Sequence, residues 1–198
     1  AFADGFGKLA KPKHRKIAIL RGNKQLEDKY IADFIKKLGE YYFIAPFTLD
    51  SVSSNPQKTL QDITAFDLII SAKPTEVFTE AEKLVLDQYT MNGGKSLWMI
   101  DAVAIEKDSL YNANGANVAI PRDLNLTDFF FKYGIRINPV MVSTLYSAPI
   151  TLAMGEGSQS QFQHLQWPYS PLAGSSSNHP IVNNLNVVRF DFANQIDT

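Results

Sequence analysis

Cysteine is missing from all 198 residues. That absence removes disulfides, thiolate metal sites and cysteine nucleophiles, and it leaves the compartment open. Histidine is scarce as well. His14, His164 and His179 stand far apart, with no i, i+4 pair and no carboxylates at metal-site spacing, so no zinc centre or other cofactor is expected. Long apolar runs are also lacking: nothing reaches the roughly 18 consecutive apolar residues of a membrane helix, and the start has no charged-then-apolar signal segment. Charge of one sign is nearly balanced. The net charge of -1 and pI near 6.3 give no general reason to hold phosphates, so nucleic acid is not an expected partner.

What asymmetry exists sits at the start. Lys8, Lys11, Lys13, Arg15 and Lys16 crowd the first sixteen positions beside Asp4, leaving 14 basic and 19 acidic residues for the remainder. Residues 1–15 read as a basic leader or linker facing water, with an anionic membrane surface as the alternative. A hydrophobic content of 45% with 20% charged residues is that of a folded protein, and the length suits one core. One α/β domain over residues 16–198 is therefore expected. The chain opens without Met and stops at Ile196-Asp197-Thr198 with no helix terminator, as a piece excised from a larger, membrane-anchored protein would.

The first hundred residues alternate strand and helix signals. Ile17, Ala18, Ile19 and Leu20 form a short apolar run ended by Arg21-Gly22-Asn23, the pattern of a strand buried on both faces. Ile31, Phe34, Ile35 and Leu38 then fall at i, i+3, i+4 and i+7 on one helical face, with Gly39 placed to supply a left-handed cap. Residues 42–47 are aromatic and β-rich, and Pro56 opens a short helix to Ile63. Residues 66–71 form a third strand. Thr79-Glu80-Ala81-Glu82 matches a capping box, and Ala81, Leu84, Val85 and Tyr89 supply the buried face of its helix. Asn92-Gly93-Gly94 ends that helix, and residues 96–100 read as a fourth buried strand stopping at Asp101. Strands separated by such helices imply a mainly parallel, doubly wound sheet, flavodoxin-like in plan. Beyond it a less regular extension is expected: a loop over 102–120, a helix over 126–133, strands over 135–142, 147–154 and 187–192, and loops at Gly155-Glu156-Gly157-Ser158 and Gly174-Ser175-Ser176-Ser177.

Ligands of such sheets bind at the carboxyl ends of strands. The candidates there are Arg21 and Asn23 after the first strand, Ser71, Lys73 and Pro74 after the third, and Asp101 after the fourth. No phosphate loop is present, since Arg21-Gly22-Asn23-Lys24 lacks both the Gly-x-Gly-x-x-Gly and Gly-Lys-Ser/Thr patterns. Neither Ser71-Ala72-Lys73-Pro74 nor Asp101-Ala102-Val103 has the glycine-flanked turn of a nucleophile, so Ser71 reads as a strand-end hydroxyl and no catalytic residue is assigned. Asp101 is equally apt as a ligand group or a turn residue. Arg122-Asp123 reads either as a local pair or as a recognition element, and His179 before Pro180 as the entry to the next segment. Phe162, Trp167, Pro168, Tyr169 and Pro171 are either core or a stacking surface for sugar or protein.

Taken in order, several segments resemble the auxiliary protein of the gliding-associated ABC transporter of Bacteroidetes (GldG type), within the wider ABC-transport auxiliary domain family. They are Lys73-Pro74-Thr75 with Phe78-Thr79-Glu80, Asp87-Gln88-Tyr89, Met91-Asn92-Gly93-Gly94-Lys95, Leu97-Trp98-Met99-Ile100-Asp101 and Pro121-Arg122-Asp123-Leu124-Asn125-Leu126. Phe131-Lys132-Tyr133-Gly134-Ile135-Arg136-Ile137-Asn138, Gln161-Phe162-Gln163, Trp167-Pro168-Tyr169, Asn178-His179-Pro180-Ile181 and Arg189-Phe190-Asp191-Phe192 extend the similarity nearly to the end. The resemblance implies an amidotransferase-like sheet without its catalytic cysteine, in a non-catalytic domain on the periplasmic face of the cytoplasmic membrane, anchored by segments outside this chain and working beside an ABC permease and ATPase. Its docking edge is expected around Asp101 and the loop carrying Arg122 and Asp123, with Leu124 and Leu126 supplying burial, or with Leu126 belonging to the core instead. A carbohydrate-binding or sugar-processing protein is the other class; it requires Trp167 and its neighbours to line one pocket with Asp101 or Glu156. A purely structural module would show no convergent polar groups at the strand ends.

Overall fold

The computed structural model describes residues 2–10, 12–107, 117–154, 161–175, 177–183 and 185–198. The chain divides into two compact units, one of Ala1–Ile100 with Asp123–Tyr133 and one of Asp101–Arg122 with Gly134–Thr198.

The first unit is built on a four-stranded parallel sheet in the order β2-β1-β3-β4, formed by β1 (Lys16–Arg21), β2 (Phe43–Thr48), β3 (Leu68–Ala72) and β4 (Lys95–Met99). The central strands are the most apolar, as burial on both faces requires. Ile17 and Ile19 of β1 share a face with Leu68, Ile70 and Ala72 of β3, and on it lies α2 (Asp28–Gly39) with Ile31, Ile35 and Leu38. Alternation sends Ala18, Leu20, Ile69 and Ser71 to the other face. Right-handed crossovers place α3 (Pro56–Ile63) and α4 (Glu80–Met91) there, and these two helices pack on each other. Asn55 caps α3, accepting the Lys58 backbone N–H at 3.0 Å, with Pro56 in the first turn where its missing donor costs nothing.

Several local expectations are corrected. Gly39 is the last residue of α2 and takes no left-handed conformation; the helix closes on Glu40 in right-handed geometry. Phe34 and Leu84 point to solvent, and Leu86 takes the inward position on α4. The largest correction concerns β4, an edge strand whose one neighbour among the described residues is β3. Leu97 and Met99 are exposed, and only Trp98 turns inward, meeting Phe78, Phe129 and Phe130 with ring centroids 5.8, 5.8 and 5.3 Å away. An apolar run reports strand propensity but not the number of neighbours a strand has. Phe129 and Phe130 belong to α5 (Thr127–Lys132), which returns to this unit after the chain has visited the other. Within the first fifteen residues, α1 (Phe2–Ala10) is helical, and its Lys8 pairs with Glu40 at 2.6 Å, so the segment is more than a solvated leader.

The second unit is antiparallel throughout, so the parallel plan stops with β4. β5 (Val103–Ala104) pairs with β6 (Ile120–Pro121), two short strands inside the stretch read as a loop. β7 (Arg136–Met141) pairs with β11 (Asn194–Asp197). β8 (Ser147–Met154) pairs with β9 (Gln161–Ala173), and β10 (Val188–Arg189) adds to β9 at Leu172 and Ala173. β9 is a thirteen-residue strand where no strand was expected, because Pro168 and Pro171 lower its apparent propensity. The strand expected over 187–192 is only two residues long. Ile150 and Phe192 centre this unit's core, with Ile105, Met141, Leu152, Trp167 and Tyr169 around them. The loop expected at residues 155–158 lies outside the described residues.

Candidate functional site

The carboxyl edge of the parallel sheet is where Arg21, Asn23 and Lys73 were expected to act, and the structure does bring them together. It also occupies them. Arg21 donates to the carbonyl of Leu26 at 3.1 Å and pairs with Asp28 in the first turn of α2, where a carboxylate also favours the helix dipole. Asn23 is buried, and its carbonyl accepts the N–H groups of Thr75 and Glu76 at 3.0 and 3.1 Å. Its own N–H donates to the Gln25 side chain at 3.0 Å, and its side-chain amide reaches the Val77 carbonyl and the Glu82 carboxylate at 3.4 and 3.5 Å. Lys24 closes the same seam through an ion pair to Glu76 at 2.6 Å, and its carbonyl accepts the Thr75 hydroxyl at 3.2 Å.

Two non-glycine residues make this seam possible by adopting the left-handed region. Lys24 has φ +48° and Lys73 φ +49°, each turning the chain sharply after its strand. The Lys73 N–H donates to the Met99 carbonyl at 2.8 Å, so the turn after β3 is tied to β4. Ser71 is 1% exposed and its hydroxyl has no hydrogen-bond partner among the described residues, so it lies away from any approaching substrate.

Behind the seam stands the capping box of α4. The Thr79 N–H and hydroxyl both donate to one Glu82 oxygen, at 2.6 and 2.9 Å, and the Glu82 N–H donates back to the Thr79 oxygen at 3.3 Å. Residues 123–125 are clipped to the same helix head. Phe78 donates its N–H to the Leu124 carbonyl at 3.0 Å, and the Asn125 side chain, at a residue of φ +56°, donates to the Phe78 carbonyl and the Glu80 carboxylate at 3.0 and 2.9 Å. Asp123 accepts the Asn125 N–H at 2.8 Å, as a turn-forming aspartate does. Leu124 and Leu126 are buried, so they are unavailable as docking surface.

Lys83 anchors the clip. Its ammonium, nearly buried, contacts both oxygens of Asp128 at 2.9 Å and Glu80 at 2.8 Å. Burial alone would lower its pKa, but Glu80 and Asp128 outweigh that and hold it above the ordinary lysine value. The hydrogen bonds from Lys83 in turn draw both carboxyls below the usual range. Sequence reasoning missed this network, although the i, i+3 spacing of Glu80 and Lys83 is a legible signal for one part of it.

Asp101 and Arg122 belong to the second unit. They are neighbours there through Ala102, whose carbonyl accepts the Arg122 N–H at 2.8 Å and whose N–H donates to the Asn194 side chain at 2.8 Å. Both are half-buried, and the Arg122 Nε is buried without a hydrogen-bond partner among the described residues. No ion pair links Arg122 to Asp123 among the described residues. His179 sits at the head of a turn, its carbonyl accepting from Val182 and Asn183 at 2.9 Å, which agrees with a role in segment entry.

The aromatic stretch does not form one platform. Phe162 shares a face of the β8–β9 ribbon with His164, whose Nδ1 lies 2.8 Å from the Thr151 hydroxyl, whereas Trp167 and Tyr169 turn to the opposite face and pack on the core. Glu156 lies outside the described residues. Among the described residues no group of three metal-ligating side chains converges, and no helix is long and apolar enough to cross a membrane.

A cleft of about 520 Å³ opens instead at the amino edge of the sheet, lined by Arg15, Tyr42, Asp67, Tyr89, Gly94 and Lys95 among others. Its polar groups are largely structural. Asp67 accepts the Lys16 N–H at 2.8 Å, and the Tyr89 hydroxyl lies within reach of the carbonyls of Phe66 and Lys95, at 3.1 and 3.2 Å. Gly94 is required because a Cβ there would collide with the Tyr89 ring.

Comparison with known proteins gives one family. The family described as an ABC-type uncharacterized transport system matches residues 14–198, and so runs through both units. None of the curated proteins compared with the chain matches it. Among solved structures, one titled "mmIFT52 N-terminal domain" is similar with a TM-score of 0.58 and 18% identity, over 92% of this chain and 68% of that one. At that identity the likeness is one of fold alone.

Proposed function

We propose a role for this chain from its membership: it belongs to the family of ABC-type uncharacterized transport systems, and it acts as a non-catalytic interaction domain of an auxiliary transport subunit. The observation that carries this reading is the state of the carboxyl edge. Arg21 and Asn23 occupy positions where an α/β sheet presents ligand groups, and their side chains are bonded within the protein, while the Lys73 N–H ties the neighbouring turn to Met99 of β4. An edge consolidated in this way suits a rigid docking module better than a small-molecule receptor.

In this proposal the parallel sheet is of amidotransferase-like ancestry, and both units form one functional domain over residues 16–198. The domain lies on the periplasmic face of the cytoplasmic membrane, held there by segments outside this chain, and serves a gliding-motility or export system of GldG type in Bacteroidetes. The permease and ATPase are its partners. The separation of Phe162 from Trp167 and Tyr169 gives the sugar-binding alternative no support. With Leu124 and Leu126 buried, Asp101 and Arg122 of the second unit are the polar residues through which docking would be oriented.

The test is the charge reversal Arg122→Glu with Asp123→Lys in the full-length, membrane-anchored protein, after its circular dichroism has been matched to wild type. Co-purification of the permease should fall. Undiminished co-purification rules out this edge as the main docking surface.

A further inference from the structure

The distal half of the β8–β9 ribbon has properties that an isolated surface hairpin should not have. Between Arg136 and Arg189 the sequence holds a single charged residue, Glu156, in a chain that is 20% charged overall. Neither β8 nor β9 contains Asp, Glu, Lys or Arg. Residues 161–166 are exposed along their whole length, Phe162 at 78% and Leu165 at 40%. Two strands alone are at best marginally stable in water, and proteins ordinarily guard such edges with charge, proline or a bulge.

The two outer edges of the ribbon differ. On β8 the edge is interrupted by Pro149, which has no N–H to give. On β9, β10 pairs only at Leu172 and Ala173, while Phe190 and Phe192 donate N–H groups to Pro171 and Tyr169. Residues 161–167 have no strand partner on that side among the described residues, and no proline occurs within them. A strand's worth of unpaired backbone groups is thus presented on a neutral, glutamine-rich and partly aromatic segment.

We propose that this edge is an interface for a second copy of the same chain, joined antiparallel through β9 so that two ribbons form one four-stranded sheet. The charge pattern selects this occupant. In a two-fold antiparallel pairing each edge residue meets the same short segment of its copy, so any charge there would face its own like, and such pairs are destabilising. An edge stripped of charge removes that obstacle. It also offers nothing to steer a charged partner. Phe162, exposed at the far end, supplies apolar area that pairing would cover.

Sedimentation velocity on the 198-residue chain over a concentration series should show a reversible monomer–dimer equilibrium. Gln161→Lys with Gln163→Lys should weaken the dimer by tenfold or more (roughly 1.4 kcal/mol) with an unchanged circular dichroism spectrum. The matching pair of Glu substitutions should do the same, and mixing the Lys and Glu variants should restore dimers. Because the chain has no cysteine, Gln163→Cys should be captured as a dimer by a short bismaleimide, while Lys29→Cys on exposed α2 should not. A chain that stays monomeric at every concentration overturns the proposal. So does a dimer indifferent to the lysines, or capture that is equal at both cysteine positions.

Discussion

Thr79→Ala is the most informative single substitution, because it removes two kinds of support at once. Loss of the cap oxygen, which accepts the Glu82 N–H, costs about 1 kcal/mol on its own. The hydroxyl also donates to the Glu82 carboxylate, which is buried, and leaving such a group short of a donor costs a further ~1–3 kcal/mol. The sum is about 2–4 kcal/mol, and with a urea slope of ~2–3 kcal/mol/M the midpoint should fall by about 1–2 M. The readout must belong to the first unit. Trp98 lies in its aromatic cluster and Trp167 in the other unit's core, so urea titration of Trp98 fluorescence in a Trp167→Phe background isolates it. Thr79→Ser should retain most of the stability, since the serine hydroxyl can make both contacts. Glu82→Ala should cost less on top of Thr79→Ala than it does alone, because the two share one interaction. An unchanged midpoint, or Ser as damaging as Ala, refutes the reasoning.

Two further outcomes follow from burial and from charge. Met99→Asp on the exposed edge strand should leave a soluble, cooperatively folded protein, whereas Ile19→Asp at the centre of the sheet should abolish folding, as an unpaired buried charge costs several kcal/mol; urea melts of the two variants decide it. Burial would raise the Asp191 pKa, but the Ser170 hydroxyl and Arg189 outweigh it and hold the carboxyl below its usual value, so its contribution is present above the unfolded aspartate pKa and is lost as pH falls through the lower folded one. Asp191→Asn should therefore flatten the acid limb of stability followed by Trp167 fluorescence, and an acid limb as steep as wild type's counts against that assignment.

Legibility of the fold followed the range of the interactions involved. The capping box, the Asn55-Pro56 helix start and the β1 run are governed by neighbours within four residues, and each stands where the pattern puts it. The environment of β4 is governed by strand order, which local pattern does not encode, so Leu97 and Met99 read as core and are exposed. β9 was hidden by its two prolines, and the pairings of β5, β6 and β11 depend on partners up to dozens of residues away. At the candidate site the strand ends were legible as positions, since topology alone nominates Arg21, Asn23 and Lys73. What those side chains do there was not legible, because it depends on where residues 75–82 fold back across them.

That last point bears on what the resemblance carries. The segments on which it rests include Phe78-Thr79-Glu80 and Asp123-Leu124-Asn125, and Phe78, Glu80, Leu124 and Asn125 among them clip residues 123–125 to the head of α4. Phe78 is fully buried, Asn125 takes a left-handed turn, and Lys83 beneath them is held by Glu80 and Asp128. Each contact has a structural explanation that needs no partner. The chain leaves the first unit after Ile100 and re-enters it at Asp123, so a clip at the point of return is what holds α5, and with it Phe129 and Phe130, against Trp98. A motif that secures re-entry would be required of this fold whatever it docked onto. The segments therefore speak first for the architecture, and evidence for a partner has to come from surface that the architecture does not consume, such as the Asp101–Arg122 edge and the neutral face of β9.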